Sequence, residues 1–374
     1  MKAVKRSLII GGGISGMCAA IELRKRGVHV DLVELDPQWR VYGAGITLSG
    51  PTLRAFARVG IAPDIMTHGC CADGLDAFTA AGVPIGQLPT PRVAGPEIPG
   101  GGGILRPVLA RILREHTLAS GTAVRCGVSF TAITEASDSI HVDFSDGRAE
   151  SYDLVIGADG LQSSVRDAVF PGAPAPRYTG QGSWRAVVQR PADLARAQMY
   201  MGHSVKAGVN PVSNDEMYLF VTERRESPDH IEEARWPDEL RGILQGFGGL
   251  IGEIREGLNA HSRILYRPFF AILLPPPWHK GRVVLIGDAA HATTPHLASG
   301  AGIGVEDALV LAEELERSTD LAEALNSFTQ RRYERCRMVV ENSLELGDME
   351  RRDAPREQHE QLMRSSMIAL LAPI

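Results

Sequence analysis

A glycine-rich turn near the amino end has the residue spacing of a site for a dinucleotide phosphate. The segment LIIGGGISG contains the pattern G-x-G-x-x-G at 11–16, and its candidate cofactor contacts are Gly11, Gly13, Ile14, Ser15 and Gly16. Such glycines form a tight turn, admit a pyrophosphate against bare backbone and let the following helix pack closely. Glu34 ends the next predicted strand, where a carboxylate can accept hydrogen bonds from both hydroxyls of an adenosine ribose. The pattern predicts that the chain binds a dinucleotide.

Two later segments each place an acid directly after a short apolar run. DLVIGADG ends at Asp159 and Gly160, and VVLIGD ends at Asp288. Open α/β sheets bind their ligands at the carboxyl ends of the strands, so both acids are candidate cofactor contacts. An NAD-dependent dehydrogenase needs no such pair. The ribityl hydroxyls of FAD do need an acceptor, and Asp288 suits that role.

The segment that follows Asp288 has almost no side chains at its glycine-rich centre. Gly300, Ala301 and Gly302 lead into an amphipathic run that predicts a helix. A flat ring can lie against such bare backbone, and the positive end of the helix dipole would favour an anionic reduced flavin. The two glycine-rich segments therefore predict FAD, with the adenine half at the first segment and the flavin ring at the second.

The elements that must position these residues predict an α/β fold. The chain opens with a strand, the glycine turn, a helix and a second strand, which is a βαβ unit of a parallel sheet. Residues 178–270 change to short alternating strands with one helical segment at 237–258, and the glycine- and proline-rich residues 84–103 predict a loop. We expect a discontinuous Rossmann-like FAD-binding domain, a smaller antiparallel-sheet substrate domain and C-terminal helices. The expected ranges are 1–75, 100–175 and 275–345 for the FAD-binding domain, 76–99 and 176–274 for the substrate domain, and 346–374 for a helical tail.

The composition argues against several other classes of partner. The 374 residues carry a net charge of −6, which gives no electrostatic basis for binding nucleic acid or an anionic membrane. No apolar stretch approaches the roughly 20 residues of a membrane helix, and we expect no secretory signal. The five cysteines match no metal-ligand spacing, and no histidine forms a metal set with acids or cysteines in the sequence. We therefore expect a cytoplasmic protein without a metal site.

Three sequence marks, taken in order, resemble those of the single-component flavin-dependent aromatic hydroxylases, such as the para-hydroxybenzoate, salicylate and 6-hydroxynicotinate monooxygenases. The marks are GGGISG with Glu34, DGLQSSVR at 159–166, and GDAAHATTP at 287–295. The resemblance implies that Arg40, Ala44 and Gly45, in the segment after the first acid, contact FAD. It also implies that Arg106 lies near the ribose and pyrophosphate of the cofactor.

The resemblance implies a reaction as well. NADH or NADPH binds transiently and reduces the flavin, O2 then gives a flavin C4a-hydroperoxide, and a small electron-rich ring attacks its distal oxygen. The protein must hold the ring, share or remove a phenolic proton and keep water out. We therefore expect a FAD-dependent monooxygenase for a hydroxylated aromatic or pyridine-type ring, acting as a monomer or homodimer.

Four residues are candidates for catalysis. The resemblance implies that Pro295, beside the cofactor, offers its backbone carbonyl to the substrate. It also implies that His296 binds or deprotonates the substrate, although a histidine here can equally serve only to support the loop. Thr47 stands where the hydroxynicotinate enzymes carry a histidine. Tyr218, on the predicted strand EMYLFV, is either a phenolic relay or an ordinary packing residue.

Four residues are candidates for substrate binding: Arg185 and Met201, together with His296 and Tyr218. Arg185 can pair with a substrate carboxylate, but the Trp-Arg pair it belongs to is at least as consistent with a structural role. Met201 either lines the pocket or belongs to the ordinary core. Relatives commonly carry Gln-Gly after the proline of the third mark, whereas this chain has Ala298, Ser299 and Gly300. Any side-chain role of that glutamine is therefore lost.

Two other functions remain open from the sequence alone. A dehydrogenase or reductase on the same scaffold would bind FAD without inserting oxygen into a product. A flavin-binding module would show no turnover at all, because a fold does not determine a function. Oxygen incorporation distinguishes the first alternative, and reduction of the flavin by NAD(P)H distinguishes the second.

Overall fold

A computed structural model describes residues 4–41, 43–202 and 205–374 of the chain. Its strands are β1 Arg6–Ile10, β2 His29–Glu34, β3 Gly45–Ser49, β4 Cys70–Ala72, β5 Leu75–Thr79, β6 Pro84–Leu88, β7 Gly101–Leu105, β8 Ala123–Cys126, β9 Phe130–Glu135, β10 Ile140–Phe144, β11 Ala149–Tyr152, β12 Leu154–Gly157, β13 Arg177–Gln189, β14 Ala197–Met201, β15 Lys206–Pro211, β16 Glu216–Arg224, β17 Arg263–Ala271, β18 His279–Lys280 and β19 Val283–Leu285. Its α-helices are α1 Ile14–Lys25, α2 Gly50–Val59, α3 Ala62–His68, α4 Arg106–Ala119, α5 Ser164–Val169, α6 Trp236–Ile243, α7 Gly249–Gly257, α8 Asp288–His291, α9 Gly300–Arg317, α10 Leu321–Arg351 and α11 Arg356–Leu371.

Six of these strands form the predicted parallel sheet. Their order is β18-β19-β12-β1-β2-β8, and every pairing except β18–β19 is parallel. The apolar strands β12 and β19 are buried throughout, as parallel strands covered on both faces require. Because β1, β12 and β19 are neighbours, their carboxyl ends meet at one edge. The glycine turn and both predicted acids follow these three ends.

A seven-stranded sheet forms the second part of the fold, in the order β17-β13-β16-β15-β14-β5-β6. All its pairings are antiparallel except β14–β5. Side chains alternate between the two faces of a sheet. One face packs against α6 and α7 in a buried cluster that includes Trp184, Leu219, Val221, Leu240 and Ile251. The predicted combination of a parallel sheet, an antiparallel sheet and C-terminal helices is confirmed.

The loop predicted at residues 84–103 is wrong at both ends, where the structure has β6 and β7. The glycines of β7 reflect close contact with neighbouring strands. A Cβ on Gly103 would lie 2.4 Å from the carbonyl oxygen of Pro211, and a Cβ on Gly102 would lie 2.7 Å from Sγ of Cys71. Composition alone gives the same signal for a loop and for a strand that other chain segments approach closely.

The helical segment predicted at 237–258 is two helices, α6 and α7. A Cβ on Gly248 would lie 2.6 Å from the carbonyl oxygen of Ala81. Gly249 has a φ of +56°, a conformation that favours glycine. The chain therefore breaks the helix here because it passes directly against the connection between β5 and β6.

The helices α10 and α11 complete the fold. The domain boundary expected at residue 346, where the helical tail was predicted to begin, falls inside α10. Two arginines cap the end of α11. Arg54 of α2 donates to the carbonyl oxygen of Leu371 at 2.7 Å, and Arg335 of α10 donates to that of Leu370 at 2.9 Å. These bonds satisfy carbonyl groups that a helix leaves unpaired at its end. Within the described ranges, no helix has the length and apolar character needed to span a membrane.

Candidate active site

The two glycine-rich segments are distant in sequence but adjoin each other in space. Ser15, in the first turn of α1, lies between Gly287 and Gly304. A Cβ on Gly287 would lie 2.4 Å from Ser15 Oγ, and a Cβ on Gly304 would lie 2.3 Å from the same atom. Both glycines are therefore required for α1 to approach the second segment this closely. The contact makes one continuous surface from the two segments.

Within the first turn the three glycines have different roles. Gly11 has a φ of +107°, and a Cβ there would lie 2.4 Å from the carbonyl oxygen of Ala158. A Cβ on Gly16 would lie 2.1 Å from the carbonyl oxygen of Gly11. A Cβ on Gly13 would meet nothing within 4 Å. Gly11 and Gly16 thus hold the turn against its neighbours, whereas Gly13 borders open space beside the free N–H groups of α1, where a phosphate fits.

The Glu34 carboxylate is held at the carboxyl end of β2. Its two oxygens accept hydrogen bonds from the backbone N–H groups of Gly12 and Asp36, each at 2.8 Å. Trp39, to which the sequence analysis gave no role, donates its indole N–H to the carbonyl oxygen of Gly12 at 2.8 Å and so stabilises the turn. Arg40 forms an ion pair with Asp36 at 3.0 Å. Its contact with FAD stays a prediction.

The two predicted acids differ in what they contact. Asp159 accepts hydrogen bonds from the Ser163 hydroxyl at 2.5 Å and from the Val165 N–H at 3.0 Å, so both of its oxygens serve the start of α5. The Asp288 carboxylate forms no hydrogen bond or ion pair within the described part of the chain. Burial among protein atoms raises the pKa of the Asp288 carboxyl, although one side of it is open to solvent. Asp288 is thus the free acceptor at this edge of the sheet.

Arg106 brings a positive charge to the same region. It begins α4, and its Cδ lies 2.7 Å from the position of a Cβ on Gly43. Its Nε is buried and has no hydrogen-bond partner among the residues described. Burial, with a further contribution from the positive charge of Arg185, lowers the pKa of Arg106 to about 10, so the group stays charged at neutral pH. This orphaned cation, the free carboxylate of Asp288 and the open space at Gly13 together fit a bound FAD.

A buried ionic network holds the turn that carries Asp288. Asp307 of α9 accepts hydrogen bonds from Nε2 of His291 at 2.5 Å and from the N–H of Gly287 at 2.9 Å. Its other oxygen accepts from Nε of Arg332 at 2.8 Å. Burial opposes the charging of His291, but the Asp307 carboxylate outweighs it and raises the pKa of the histidine well above its usual value. His291 thus helps to hold the turn that precedes Asp288.

Sequence spacing did not reveal that these groups meet. Donor atoms of His291, Asp307 and Cys336 all lie within 4.8 Å of one another, and such residue types can bind a metal ion. The guanidinium of Arg332 already supplies the cation, because it pairs with Asp307 at 2.8 Å and with Glu306 at 2.9 Å. The network is therefore an ion-pair cluster, and the expected lack of a metal site stays a prediction.

The antiparallel sheet presents its second, polar face to these segments. Tyr218 packs against Gly45, where a Cβ would approach its ring within 2.1 Å, and its hydroxyl hydrogen-bonds to Thr47. Asn210 donates its side-chain N–H groups to Oγ1 of Thr47 at 3.1 Å and to the carbonyl oxygen of Gly102 at 3.2 Å. Two predicted residues, Thr47 and Tyr218, are thus brought together. Asn210 was not predicted, because its only signal was a polar residue in a buried strand.

Tyr218 and Arg185 lie side by side on this face. Burial raises the pKa of the Tyr218 hydroxyl, which therefore stays protonated at neutral pH. Arg185 forms no hydrogen bond or ion pair with any described residue, and burial lowers the pKa of its guanidinium. Met201 is on the same face by strand alternation, but it pairs with Lys206, further along the sheet. The structure therefore groups Arg185 with Tyr218 and leaves Met201 apart from them.

His296 lies near Lys206 and away from Tyr218. Its Nδ1 hydrogen-bonds to the Thr294 hydroxyl at 2.8 Å, and its Nε2 to the Glu350 carboxylate at 3.2 Å. Burial lowers the pKa of His296, so the ring is neutral at pH 7. Both ring nitrogens are already paired with protein groups, and a direct role of His296 as a base stays a prediction.

The loop before α9 has a strained conformation. The carbonyl oxygen of Pro295 accepts a hydrogen bond from the N–H of Ala298 at 2.9 Å, and Ala298 has a φ of +47°. A Cβ on Gly302 would lie 2.4 Å from Oγ1 of Thr52, so this glycine allows α9 to pack on α2. Gly300 is less crowded, with the Thr293 side chain 3.2 Å from a Cβ position. The backbone near Gly300 is therefore the more accessible part of the expected flavin contact.

These features define a FAD-binding α/β protein with a second sheet facing its cofactor segments. The chain belongs to the FAD binding domain family, whose sequence model matches residues 5–343. The resemblance to the flavin-dependent aromatic hydroxylases is confirmed. The protein is a flavoprotein monooxygenase, and its cofactor is FAD.

Relatives match this chain along most of their length. YetM of Bacillus subtilis strain 168, described as a putative FAD-dependent monooxygenase, is 33% identical over 92% of this chain and 93% of its own. The 2-heptyl-3-hydroxy-4(1H)-quinolone synthase of Pseudomonas aeruginosa is 34% identical over 93% of this chain and 90% of its own. HpxO of Klebsiella pneumoniae, solved in complex with FAD and uric acid, has a TM-score of 0.82 at 24% identity, covering 98% of this chain and 92% of HpxO. This last likeness shows a common fold.

Proposed function

We propose that the protein uses NADH or NADPH and O2 to hydroxylate a small hydroxylated aromatic or heteroaromatic ring. Two of the similar proteins support such a ring, since one is named for a quinolone product and the other is solved with uric acid. Bound FAD would supply the transfer of electrons from the nicotinamide and the activation of O2. The residues of this chain bind the cofactor, orient the ring, donate hydrogen bonds to it and exclude water.

Five groups would hold the cofactor. Glu34 would accept from the adenosine ribose, and the N-terminus of α1 beside Gly13 would face the pyrophosphate with Arg106 as its cation. Asp288 would accept from the ribityl chain. The bare backbone at 300–302 would lie beside the flavin ring, with the N-terminus of α9 favouring its reduced, anionic form.

The observation that carries the substrate class is the uncompensated positive charge of Arg185. This guanidinium lies on the polar face of the sheet, is half-buried and has no carboxylate partner in the described chain. Taking a charge out of water without a partner is costly, so a ring that covers this half-buried group would favour an anionic partner, and a planar guanidinium suits bidentate pairing with an anion. We therefore infer that the substrate carries an acidic group, either a carboxylate or an ionisable ring hydroxyl.

A chain of hydrogen-bond donors ends at the same place. Asn210 donates to Oγ1 of Thr47, which leaves the Thr47 hydroxyl hydrogen free to be donated to Tyr218. The Tyr218 hydroxyl, protonated at neutral pH, can then donate to a ring oxygen of the substrate. Hydrogen bonds arranged in series strengthen one another. Thr47 and Tyr218 would thus stabilise the ionised ring oxygen that makes the ring electron-rich.

Apolar side chains surround these polar groups. Ala44, Val212 and Tyr218 form a small buried cluster, against which Val187 and Phe220 pack. Such a wall excludes water from the reacting atoms and strengthens the electrostatic interactions inside the site. Exclusion of water also protects oxygen activated by the flavin from loss as peroxide.

Substituting Arg185→Met is expected to raise the KM for the ring substrate about 10- to 100-fold, because a hydrogen bond to a charged group contributes about 1.5–3 kcal/mol. The bound FAD should be unchanged. Initial rates of NAD(P)H oxidation, measured against the concentration of an acidic ring and of its neutral amide or ether analogue, test this. The rise in KM should be confined to the acidic compound.

The matched control is Arg263→Met on the neighbouring strand β17, where the arginine is 62% exposed and pairs with Glu216. That variant should keep the parent KM. Arg185→Lys should recover only part of the affinity, since an ammonium lacks the planar fork of a guanidinium. An unchanged KM in Arg185→Met would remove Arg185 from the substrate site.

A further inference from the structure

The carboxylate of Glu350 lies at the end of the polar face that is far from Tyr218. Glu350, in the last turn of α10, accepts hydrogen bonds from Lys206 at 2.8 Å, Gln181 at 3.1 Å, His296 at 3.2 Å and His359 at 3.2 Å. Burial opposes its ionisation, but Lys206, His296 and His359 outweigh burial and hold the pKa of Glu350 far below its usual value. Glu350 is therefore a carboxylate at neutral pH.

The four donors come from separate parts of the fold. Gln181 is on β13, Lys206 on β15 and His359 on α11, whereas His296 belongs to the loop before α9. Glu350 thus joins the antiparallel sheet, the C-terminal helices and the flavin-side loop through one side chain. In addition, a Cβ on Gly347, one turn earlier in α10, would lie 3.0 Å from the ring of His296. The absence of a side chain there lets α10 press directly on the histidine.

Glu350 and its four donors, Gln181, Lys206, His296 and His359, are called the Glu350 junction below. The register of the sheet locates this junction relative to Tyr218. Asn210 is opposite Tyr218, and Lys206 is four residues earlier on the same face of β15. At about 3.3 Å per residue the two positions are roughly 13 Å apart. Arg185 lies between them, since its partner Phe220 is midway along β16. A planar ring on this face would therefore have the Thr47–Tyr218 pair at one end and the Glu350 junction at the other.

The Glu350 junction also fixes the tautomer of His296. The ring is neutral, and the ionised Glu350 can only accept, so Nε2 carries the hydrogen and Nδ1 accepts from the Thr294 hydroxyl. A carboxylate that receives one ring N–H sets both the tautomer and the orientation of an imidazole. Through this bond, Glu350 holds the segment from Pro295 to Gly300 in one position.

We propose that Glu350 is a positioning residue for the hydroxylation. It acts through His296 and sets the position of the flavin-side loop relative to the substrate sheet. The inference rests on the proposed function, and Glu350 lies beyond residue 343, where the match to the family ends. Loss of the carboxylate should let the loop and the sheet move apart, so that more activated oxygen is released as peroxide.

The test uses the FAD-loaded protein and the variants Glu350→Gln, His296→Ala and their combination. Each single variant should keep its FAD but release a several-fold larger share of consumed NAD(P)H as peroxide. The double variant should be no worse than the worse single variant, because residues that act through one contact are not additive. Glu345→Gln, on the same helix with an exposed partner, is the control and should behave as the parent protein.

A second readout needs no substrate. The titration of His296 can be followed by NMR of ¹⁵N-histidine-labelled protein, with His296→Ala identifying the resonance. Among the residues that the structure describes, Glu350, Lys206 and His359 are the charged or titratable groups that face His296. Glu350→Gln removes the one negative charge, so the midpoint of His296 should move to lower pH. Lys206→Met removes a positive charge and should move it to higher pH.

The two variants are expected to move the titration midpoint of His296 in opposite directions. If Glu350→Gln fails to fold, the shift to higher pH expected in Lys206→Met still tests the inference. An unmoved midpoint in both variants, or additive peroxide release in the double variant, would overturn the role of Glu350. If the parent protein hydroxylates no ring, the proposed function fails, but the titration still decides whether Glu350 controls His296.

Discussion

Asp288→Ala protein is expected to purify with little or no bound FAD. The Asp288 carboxylate stands at the carboxyl end of β19 and has no hydrogen bond to any described residue, and we propose that a hydroxyl of the cofactor is its donor. Removing a hydrogen bond to a charged group costs about 1.5–3 kcal/mol, which weakens binding of the cofactor roughly 10- to 100-fold for each such bond. The ratio of flavin to protein absorbance after purification, followed by a fluorescence titration with added FAD, measures the effect.

Two comparisons make this result specific to the position of Asp288. Asp167→Ala removes an acid from α5 that is 74% exposed, and this variant should retain its FAD. Asp288→Asn keeps an acceptor oxygen without the charge and should bind FAD with intermediate affinity. Purification of Asp288→Ala with a full complement of FAD would show that another group holds the ribityl chain.

Asp307→Ala is expected to lower the free energy of unfolding by about 3–5 kcal/mol, the usual cost of breaking a buried ion pair on one side. The substitution removes the carboxylate that pairs with buried Arg332 and with protonated His291. It also removes the acceptor of the Gly287 N–H. Denaturant unfolding of the FAD-free parent and variant proteins, compared at one pH, measures the loss directly. Because Gly287 precedes Asp288, we also expect weaker FAD binding by the folded variant.

The control for this prediction lies on the same helix. Glu316→Ala breaks an ion pair with Arg26 at 3.1 Å in which the glutamate is 53% exposed, and exposed pairs contribute about 0–1 kcal/mol. A loss of less than about 1 kcal/mol in Asp307→Ala would mean that water or a rearranged side chain replaces the carboxylate. The network would then not be what holds the second glycine-rich segment.

Most of the cofactor-binding half of the candidate site could be predicted from the sequence, because it depends on the backbone geometry of short segments. Gly11 and Gly16 are required by the geometry of the turn, Gly13 borders open space, and Asp288 follows a strand whose apolar residues identify it. Each signal is local, so spacing within a few residues is sufficient to place it. The contact of Ser15 with Gly287 and Gly304 then follows from the strand order, which the sequence does not state.

The substrate half depends on pairings between distant residues, and these leave no local pattern. Asn210 is a single polar residue in an apolar strand, and only the sheet register brings it to Thr47. Glu350 is one of several acids in a long, charged helix, and its four partners lie on other elements. Tyr218 and Arg185 were identified as candidates, whereas the position of His296 relative to them required the structure. Their catalytic roles stay predictions.

The measurement that tests the central proposal most directly is oxidation of NADH and NADPH in ¹⁸O2 with a panel of hydroxylated benzoates, pyridines and related rings. Peroxide and labelled product are quantified in the same reaction. We expect one class of acidic ring to accelerate oxidation, to yield less peroxide than NAD(P)H consumed and to acquire one labelled oxygen atom. Acceleration with all consumption recovered as peroxide would make that ring an effector. Oxidation of a ring with no label in the product would contradict the proposed hydroxylation and favour a reductase.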